Sequence, residues 1–137
     1  MDFQYPNLDD IPRIFSKYPS VQAVYLFGSY ATGKIRRDSD LDLAIVPRDS
    51  SARQQMLDML ADLVRQVYHR IDLVFLDTKD VVVRFEAIRH NRLLYCVPDF
   101  DPGTYTSRIV RDYWDFKPHL AVQRQSLKQR ILSHGAR

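Results

Sequence analysis

An apolar run that ends in Gly28-Ser29 constrains the fold of this chain more than any other feature. Residues Val21–Phe27 are rich in β-branched and aromatic side chains, which predicts a buried strand. Two of the four glycines, Gly28 and Gly33, follow this run directly. A strand that leads into a glycine turn and a helical turn presents backbone N–H groups to a phosphate. The segment therefore predicts an anion-binding turn, to which the Ser29 hydroxyl adds a hydrogen bond.

Two acidic residues lie ten residues further on, in the next apolar run. Asp40 and Asp42 are two apart in a strand predicted from Asp40 to Val46, so both side chains are expected on one face. Their Cα atoms would then lie roughly 7 Å apart, and both carboxylates can reach one cation. Carboxylate and phosphate oxygens together favour Mg²⁺, which proteins bind through one or two carboxylates.

A third acid, Asp72, lies in a further predicted strand, Ile71–Leu76. If this strand pairs beside the first two, Asp72 faces the same site and either bridges a second metal or takes a proton from an attacking hydroxyl. Each of these residues alone has an ordinary explanation, such as a turn glycine, a helix-capping serine or an edge-strand aspartate. The prediction of a nucleotide–metal site therefore rests on their combination.

The remaining periodicity predicts helices between these strands. One helix covers residues 7–18, one runs from a Ser50 or Ser51 cap to about His69, and one runs from an Asp77 or Thr78 cap to about His90. A short strand covers residues 92–97. The apolar face of the second helix is predicted to comprise Met56, Leu57, Leu60, Ala61, Val64, Val67 and Tyr68. Together these elements predict an α+β fold, with a small mixed sheet flanked by helices.

The C-terminal quarter differs from the rest in charge. Residues 104–137 carry seven Lys and Arg against two Asp, whereas residues 1–103 carry thirteen basic and fifteen acidic side chains. We expect a domain at 1–97, a linker at 98–103 and an amphipathic helical tail at 104–137, which is either one helix or two helices broken near Pro118. The basic tail indicates either an anionic partner or a solvated helix face. Its aromatic cluster is read as a partner interface or as packing on its own domain, and comprises Tyr113, Trp114 and Phe116 beside Arg108 and Arg111.

The composition excludes several classes of protein. The longest apolar runs are far shorter than the roughly 20 residues of a membrane helix. The N-terminus lacks a basic region followed by an apolar stretch, so no signal peptide is expected. A single cysteine, Cys96, cannot form an internal disulfide. These features predict a cytoplasmic protein.

The segments 27–33 and 39–43 resemble the signature of the DNA polymerase β-like nucleotidyltransferase superfamily, and the resemblance covers about residues 10–97. Within that superfamily, the small size is similar to that of the minimal nucleotidyltransferases, the antitoxins encoded beside HEPN-domain toxins. The resemblance implies that Gly28, Ser29 and Ser39 bind the nucleotide, and that Asp40, Asp42 and Asp72 are the catalytic acids and the Mg²⁺ ligands.

The resemblance also implies a reaction and a partner. Members of this branch transfer AMP from ATP to a tyrosine of the HEPN toxin, a ribonuclease, and so silence it; a hetero-oligomer with the toxin is expected. Many relatives carry an arginine where this chain has Thr32, so Lys34, Arg36 and Arg37 either supply the phosphate charge or form a solvated loop.

Three alternatives remain open at this point. The first is a non-catalytic toxin-binding module with a vestigial site. The second is a small-molecule nucleotidyltransferase, although the 34 residues after Gly103 leave little room for an acceptor domain. The third is nucleic-acid binding by the basic tail, which lacks a base-reading motif, so no nucleic-acid partner is expected.

Overall fold

The computed structural model describes residues 5–119, which fold into a four-stranded sheet with helices on both faces. The strands are β1 (Val21–Phe27), β2 (Leu41–Pro47), β3 (Ile71–Phe75) and β4 (Leu93–Cys96), in the order β3-β2-β1-β4. β1 pairs antiparallel with β2 and β4, whereas β2 and β3 are parallel. This mixed sheet with flanking helices confirms the predicted α+β fold.

Six helices connect or flank the strands in this range. They are α1 (Ile11–Phe15), α2 (Ser29–Thr32), α3 (Ser51–Gln54), α4 (Met56–Gln66), α5 (Val81–Ile88) and α6 (Pro102–Phe116), with 3₁₀ turns at Leu8–Asp10 and Lys117–His119. None of these helices is long and apolar enough to cross a membrane.

The sheet separates two hydrophobic cores. On β2, Leu43 and Ile45 pack in the core with α1 and α4, whereas Ala44 and Val46 pack in the core with α5 and α6. Side chains alternate between faces along a strand. Asp42 therefore projects from the face that α5 and α6 cover.

The helix predicted from about residue 51 to His69 is in fact two helices, interrupted at Gln55. Gln55 has φ −96° and ψ 9°, outside the helical region, and its side-chain oxygen accepts a hydrogen bond from Ser20 Oγ. Gln55 is thus bonded to Ser20, the residue before β1, at the position where the helix is interrupted. The prediction of a single helix was therefore wrong.

The predicted apolar face of this helix was also partly wrong. Met59 and Leu63 are fully buried, whereas Leu57 is 74% exposed and Val64 is 47% exposed. The side of α4 that faces α1 includes a polar residue, because the Asp62 carboxylate accepts a hydrogen bond from the Tyr18 hydroxyl beside α1.

The residue that caps α5 differs from those predicted, whereas α3 has the predicted Ser50 at its N-cap without a capping hydrogen bond from the side chain. Asp80, rather than Asp77 or Thr78, caps α5, and its Oδ1 accepts hydrogen bonds from the N–H groups at 82 and 83. Asp77 instead forms an ion pair with Arg53. At α3, the backbone N–H of Ser51 donates to the Asp49 carboxylate, so neither serine supplies the capping side chain.

Helix α6 begins at Pro102, inside the segment expected to be a linker, because Asp101 caps its first turn. Phe100 and Ile109 are buried in the core that also contains α5. The first part of the predicted tail thus packs on the sheet through α6. Residues 120–137 of the predicted tail lie outside the described residues.

Candidate active site

Gly28 joins the end of β1 to the short helix α2 and touches the acidic strand beside it. Its φ of +72° and ψ of −154° form a conformation that L side chains rarely adopt. A Cβ at this position would lie 2.1 Å from Asp42 Oδ2. Only glycine therefore permits the turn and the Asp42 carboxylate to approach so closely.

The turn after Gly28 is a single helical turn with free N–H groups at its start. Ser29 is its first residue, and Gly33 ends it in the left-handed region at φ +83°. The first N–H groups of a helical turn have no acceptor within that turn. The N–H groups of Ala31 and Thr32 donate to the Gly28 carbonyl, which leaves those of Ser29 and Tyr30 without an acceptor inside the turn. Their predicted contact with an anion stays a prediction.

Ser39 closes the loop that returns from α2 to β2. Its Oγ accepts a hydrogen bond from the Arg36 backbone N–H at 2.8 Å, and its own N–H donates to the Arg36 carbonyl at 3.1 Å. Ser39 thereby shapes the loop directly before Asp40. Its predicted contact with a nucleotide stays a prediction.

Asp42 and Asp72 lie side by side on neighbouring strands. The parallel register of β2 and β3 pairs these two residues directly, and the antiparallel register of β1 and β2 pairs Asp42 with Phe27. Residues paired across a sheet project from the same face. The two carboxylates therefore share a face, with Asp42 partly buried and Asp72 exposed on the edge strand.

Asp40 lies just before β2, not within it as the sequence predicted. The strand begins at Leu41, whose N–H donates to the Arg70 carbonyl at 2.8 Å. The strand-alternation argument therefore does not place the Asp40 side chain. The Asp40 side chain is instead held by an ion pair, in which Asp40 Oδ1 accepts a hydrogen bond from Arg70 Nε at 2.9 Å.

The negative charges of Asp40 and Asp72 both act on Asp42. Burial, together with the nearby negative charges of Asp72 and Asp40, raises the pKa of Asp42 to about 6. Such a group of like charges is stabilised by a cation. Arg70 is a site residue that the sequence reasoning missed, although its position two residues before Asp72 was a usable signal.

The donor set suits a hard divalent cation. Within residues 5–119, no three His, Cys, Asp or Glu side chains are gathered closely enough to hold a metal ion by themselves. Mg²⁺ is commonly bound through one or two carboxylates and completed by phosphate oxygens and water. The adjacent oxygen donors of Asp42 and Asp72, and the mutual repulsion described above, fit such an ion.

The basic loop beside α2 is open to solvent. Lys34, Arg36 and Arg37 are all exposed, and none forms an ion pair with another described residue. Thr32 donates a weak hydrogen bond to the Ser29 carbonyl. Positive charge is thus present near the turn, on exposed side chains that form no ion pair with another described residue.

A glycine turn after β1, beside the paired carboxylates of β2 and β3, suits an enzyme that transfers phosphate-linked groups. Comparison with known families agrees. The chain belongs to the polymerase beta nucleotidyltransferase family, whose model matches residues 9–99.

Two kinds of relative are informative. The protein adenylyltransferase MntA of Shewanella oneidensis is 25% identical over 118 residues, which span 86% of this chain and 81% of MntA. A chain of a solved toxin–antitoxin complex with AMP-PNP is 25% identical, with a TM-score of 0.61 over 92% of this chain and 98% of that chain.

A second solved complex shares the fold. It contains the tri-AMPylated Shewanella oneidensis HEPN toxin with an MNT antitoxin, and its matched chain is 23% identical. The TM-score is 0.55 over 92% of this chain and 96% of that chain.

Proposed function

We propose that this chain is an antitoxin that transfers AMP from ATP to a tyrosine hydroxyl of a HEPN toxin and thereby neutralises the toxin. The observation that carries the proposal is the pairing of Asp42 with Asp72 beneath the Gly28 turn. The similarity to MntA, a protein adenylyltransferase, supports the same reaction.

In this proposal the site residues divide into two groups. Gly28, Ser29 and Ser39 would hold the triphosphate. Asp40, Asp42 and Asp72 would hold Mg²⁺ together with phosphate oxygens and water. When bound, Mg²⁺ supplies positive charge to the triphosphate and to the leaving pyrophosphate. Arg70 holds one oxygen of Asp40 and leaves the other oxygen of that carboxylate for the ion.

The chemistry requires a deprotonated acceptor. A tyrosine hydroxyl has a pKa of about 10 and is a weak nucleophile at neutral pH. Its oxygen attacks the α-phosphorus of ATP; a new P–O bond forms, and the bond to the pyrophosphate oxygen breaks. Asp72 takes the phenolic proton.

The position of Asp72 favours a protein as the acceptor. β3 is the edge strand of the sheet, and Asp72 is exposed on it, whereas Asp42 lies partly buried on the adjacent strand. A side chain carried on a folded protein can reach an acid at a sheet edge without entering a deep cavity. A small-molecule transferase instead needs a closed acceptor pocket.

Intact mass spectrometry tests this function. The HEPN protein encoded beside this chain is incubated with the chain and Mg-ATP, and its mass is followed over time. We expect additions of whole AMP groups that disappear with the Asp40→Asn/Asp42→Asn variant and persist with Asp58→Asn, an exposed acid on α4. Unmodified HEPN protein in a stable complex with this chain would overturn catalysis in favour of a binding module.

A further inference from the structure

Helix α6 has one face that the fold uses. Ile109 is fully buried, the ring of Tyr113 stacks on Phe85 with centroids 3.8 Å apart, and Tyr105 stacks on Tyr25 at 6.2 Å. These contacts attach α6 to α5 and to the sheet. The opposite face is not required for this packing.

The opposite face carries basic and aromatic side chains. Arg108, Arg111 and Trp114 recur at three-residue spacing and are exposed, and the Trp114 side chain is 57% exposed. Lys117 lies over the indole, with Nζ 4.1 Å from the ring centroid. We refer to these four residues as the basic α6 face.

The charges of the basic α6 face are largely uncompensated. In the described part of the chain, Arg108, Arg111 and Lys117 form no ion pair with a carboxylate. The acid nearest in sequence to the two arginines, Asp112, pairs instead with Arg84 on α5 at 3.5 Å. Asp112 and Asp115 are both exposed acids of α6, and Asp115 forms no ion pair with another described residue.

The helix also lies on the side of the sheet that carries the catalytic acids. Ala44 and Val74 follow Asp42 and Asp72 by two residues on the same strand faces, and both pack in the core that contains Ile109. A protein held on α6 would thus lie on the same side of the sheet as the two carboxylates.

We propose that the basic α6 face binds an acidic surface of the protein that this chain adenylylates. The inference rests on the proposed function for the identity of that partner. Exposed Trp and Arg dominate the binding energy of protein interfaces, and opposite charges across an interface steer association. Single-stranded nucleic acid is the less favoured ligand, because it is typically bound by several stacking aromatic rings in a basic groove, and this face has one such ring.

Charge reversal on this face provides the test. Binding of the HEPN protein encoded beside this chain is measured by titration calorimetry for the wild type and for Arg108→Glu/Arg111→Glu. We expect Kd to rise by about tenfold or more, and the loss to be greatest at low salt. Arg108→Lys/Arg111→Lys should bind near wild-type strength, and Trp114→Ala should weaken binding by about tenfold.

A matched control makes the same charge change on the other face of the sheet. Arg13→Glu/Arg65→Glu alters two exposed arginines on α1 and α4 and should leave Kd within about twofold of the wild-type value. Circular dichroism and binding of AMP-PNP with Mg²⁺ verify that every variant is folded.

The outcomes separate the interface from the enzyme. An unchanged Kd in Arg108→Glu/Arg111→Glu would overturn the interface, and so would a loss confined to binding of an oligouridine RNA. Adenylylation of the HEPN protein is followed separately by mass spectrometry. Weakened binding of the variant, with no AMP transfer by the wild type, would support the interface and refute the proposed function.

Discussion

Gly28 and Gly33 both adopt positive φ, but their surroundings differ. A Cβ on Gly28 would meet the Asp42 carboxylate at 2.1 Å, whereas a Cβ on Gly33 would meet no atom within 4 Å. The requirement for glycine at position 33 is therefore conformational. At position 28 the requirement for glycine is also steric, because a Cβ would collide with a carboxylate of the candidate site.

Gly28→Ala should damage both the fold and the activity. The added Cβ displaces the Asp42 carboxylate, and a misplacement on the order of 1 Å lowers the rate of transfer by about 100-fold. Gly33→Ala should reduce the free energy of unfolding by about 1 kcal/mol through left-handed strain alone. Urea unfolding of both variants and AMP transfer by Gly28→Ala measure these effects. Equal destabilisation of the two variants would contradict the steric account.

The elevated pKa of Asp42 predicts a pH-dependent stability. The folded-state pKa of about 6 lies above the unfolded value near 3.9, so the folded protein binds more protons than the unfolded chain between these values. Without metal, the contribution of Asp42 is favourable below about pH 4 and is lost as the pH rises through 6.

Asp42→Asn should remove this dependence. The variant should be more stable than the wild type at pH 7.5 in the presence of a chelator, by on the order of 1 kcal/mol after allowance for partial exposure. Near pH 4 the difference should be small. Thermal unfolding at both pH values measures it, and a variant that is less stable at pH 7.5 would refute the burial and repulsion argument.

At the scale of elements, helix α4 carries more apolar side chains than the core buries. Leu63 is fully buried in the core with α1, whereas Leu57 on the same helix is 74% exposed. Leu63→Ala should therefore lower the free energy of unfolding by about 2–5 kcal/mol. Leu57→Ala should change it by less than about 0.5 kcal/mol. Denaturant unfolding compares the pair, and similar losses would show that α4 is packed differently.

The positions of the strands could be predicted from the sequence, whereas the way in which the strands pair could not. Apolar β-branched runs are local signals, so β1 matches the predicted range and β3 ends one residue early. The alignment of Asp42 with Asp72 depends on contacts between segments thirty residues apart in sequence, which no local pattern encodes. The sequence could predict that an acid lies on each strand, but not that the two face each other.

The departures at element ends have similar causes. Asp40 lies outside β2 because the first hydrogen bond to β3 is made by Leu41, and Arg70 then determines where the Asp40 carboxylate lies. Asp80 caps α5 because Asp77 is engaged by Arg53 from another helix. In each case a tertiary contact overrides a local preference.

At the scale of the molecule, the two faces of the sheet carry different groups of side chains. The face under α1 and α4 is a closed apolar core, whereas the face under α5 and α6 holds a smaller core and, at the end of β1, the acidic side chains. The exposed edge strand β3 places Asp72 where another protein can reach it. This arrangement accounts for a transferase with a macromolecular acceptor.

The most direct test of that account follows the label of ATP into the partner. The chain and its HEPN partner are incubated with Mg²⁺ and ATP labelled in the α-phosphate or, in parallel, in the γ-phosphate. The account predicts that the HEPN protein acquires the α-label alone, and that Asp40→Asn/Asp42→Asn abolishes its incorporation. Incorporation of the γ-label, or α-labelling that survives this double substitution, would contradict adenylyl transfer at the carboxylate site.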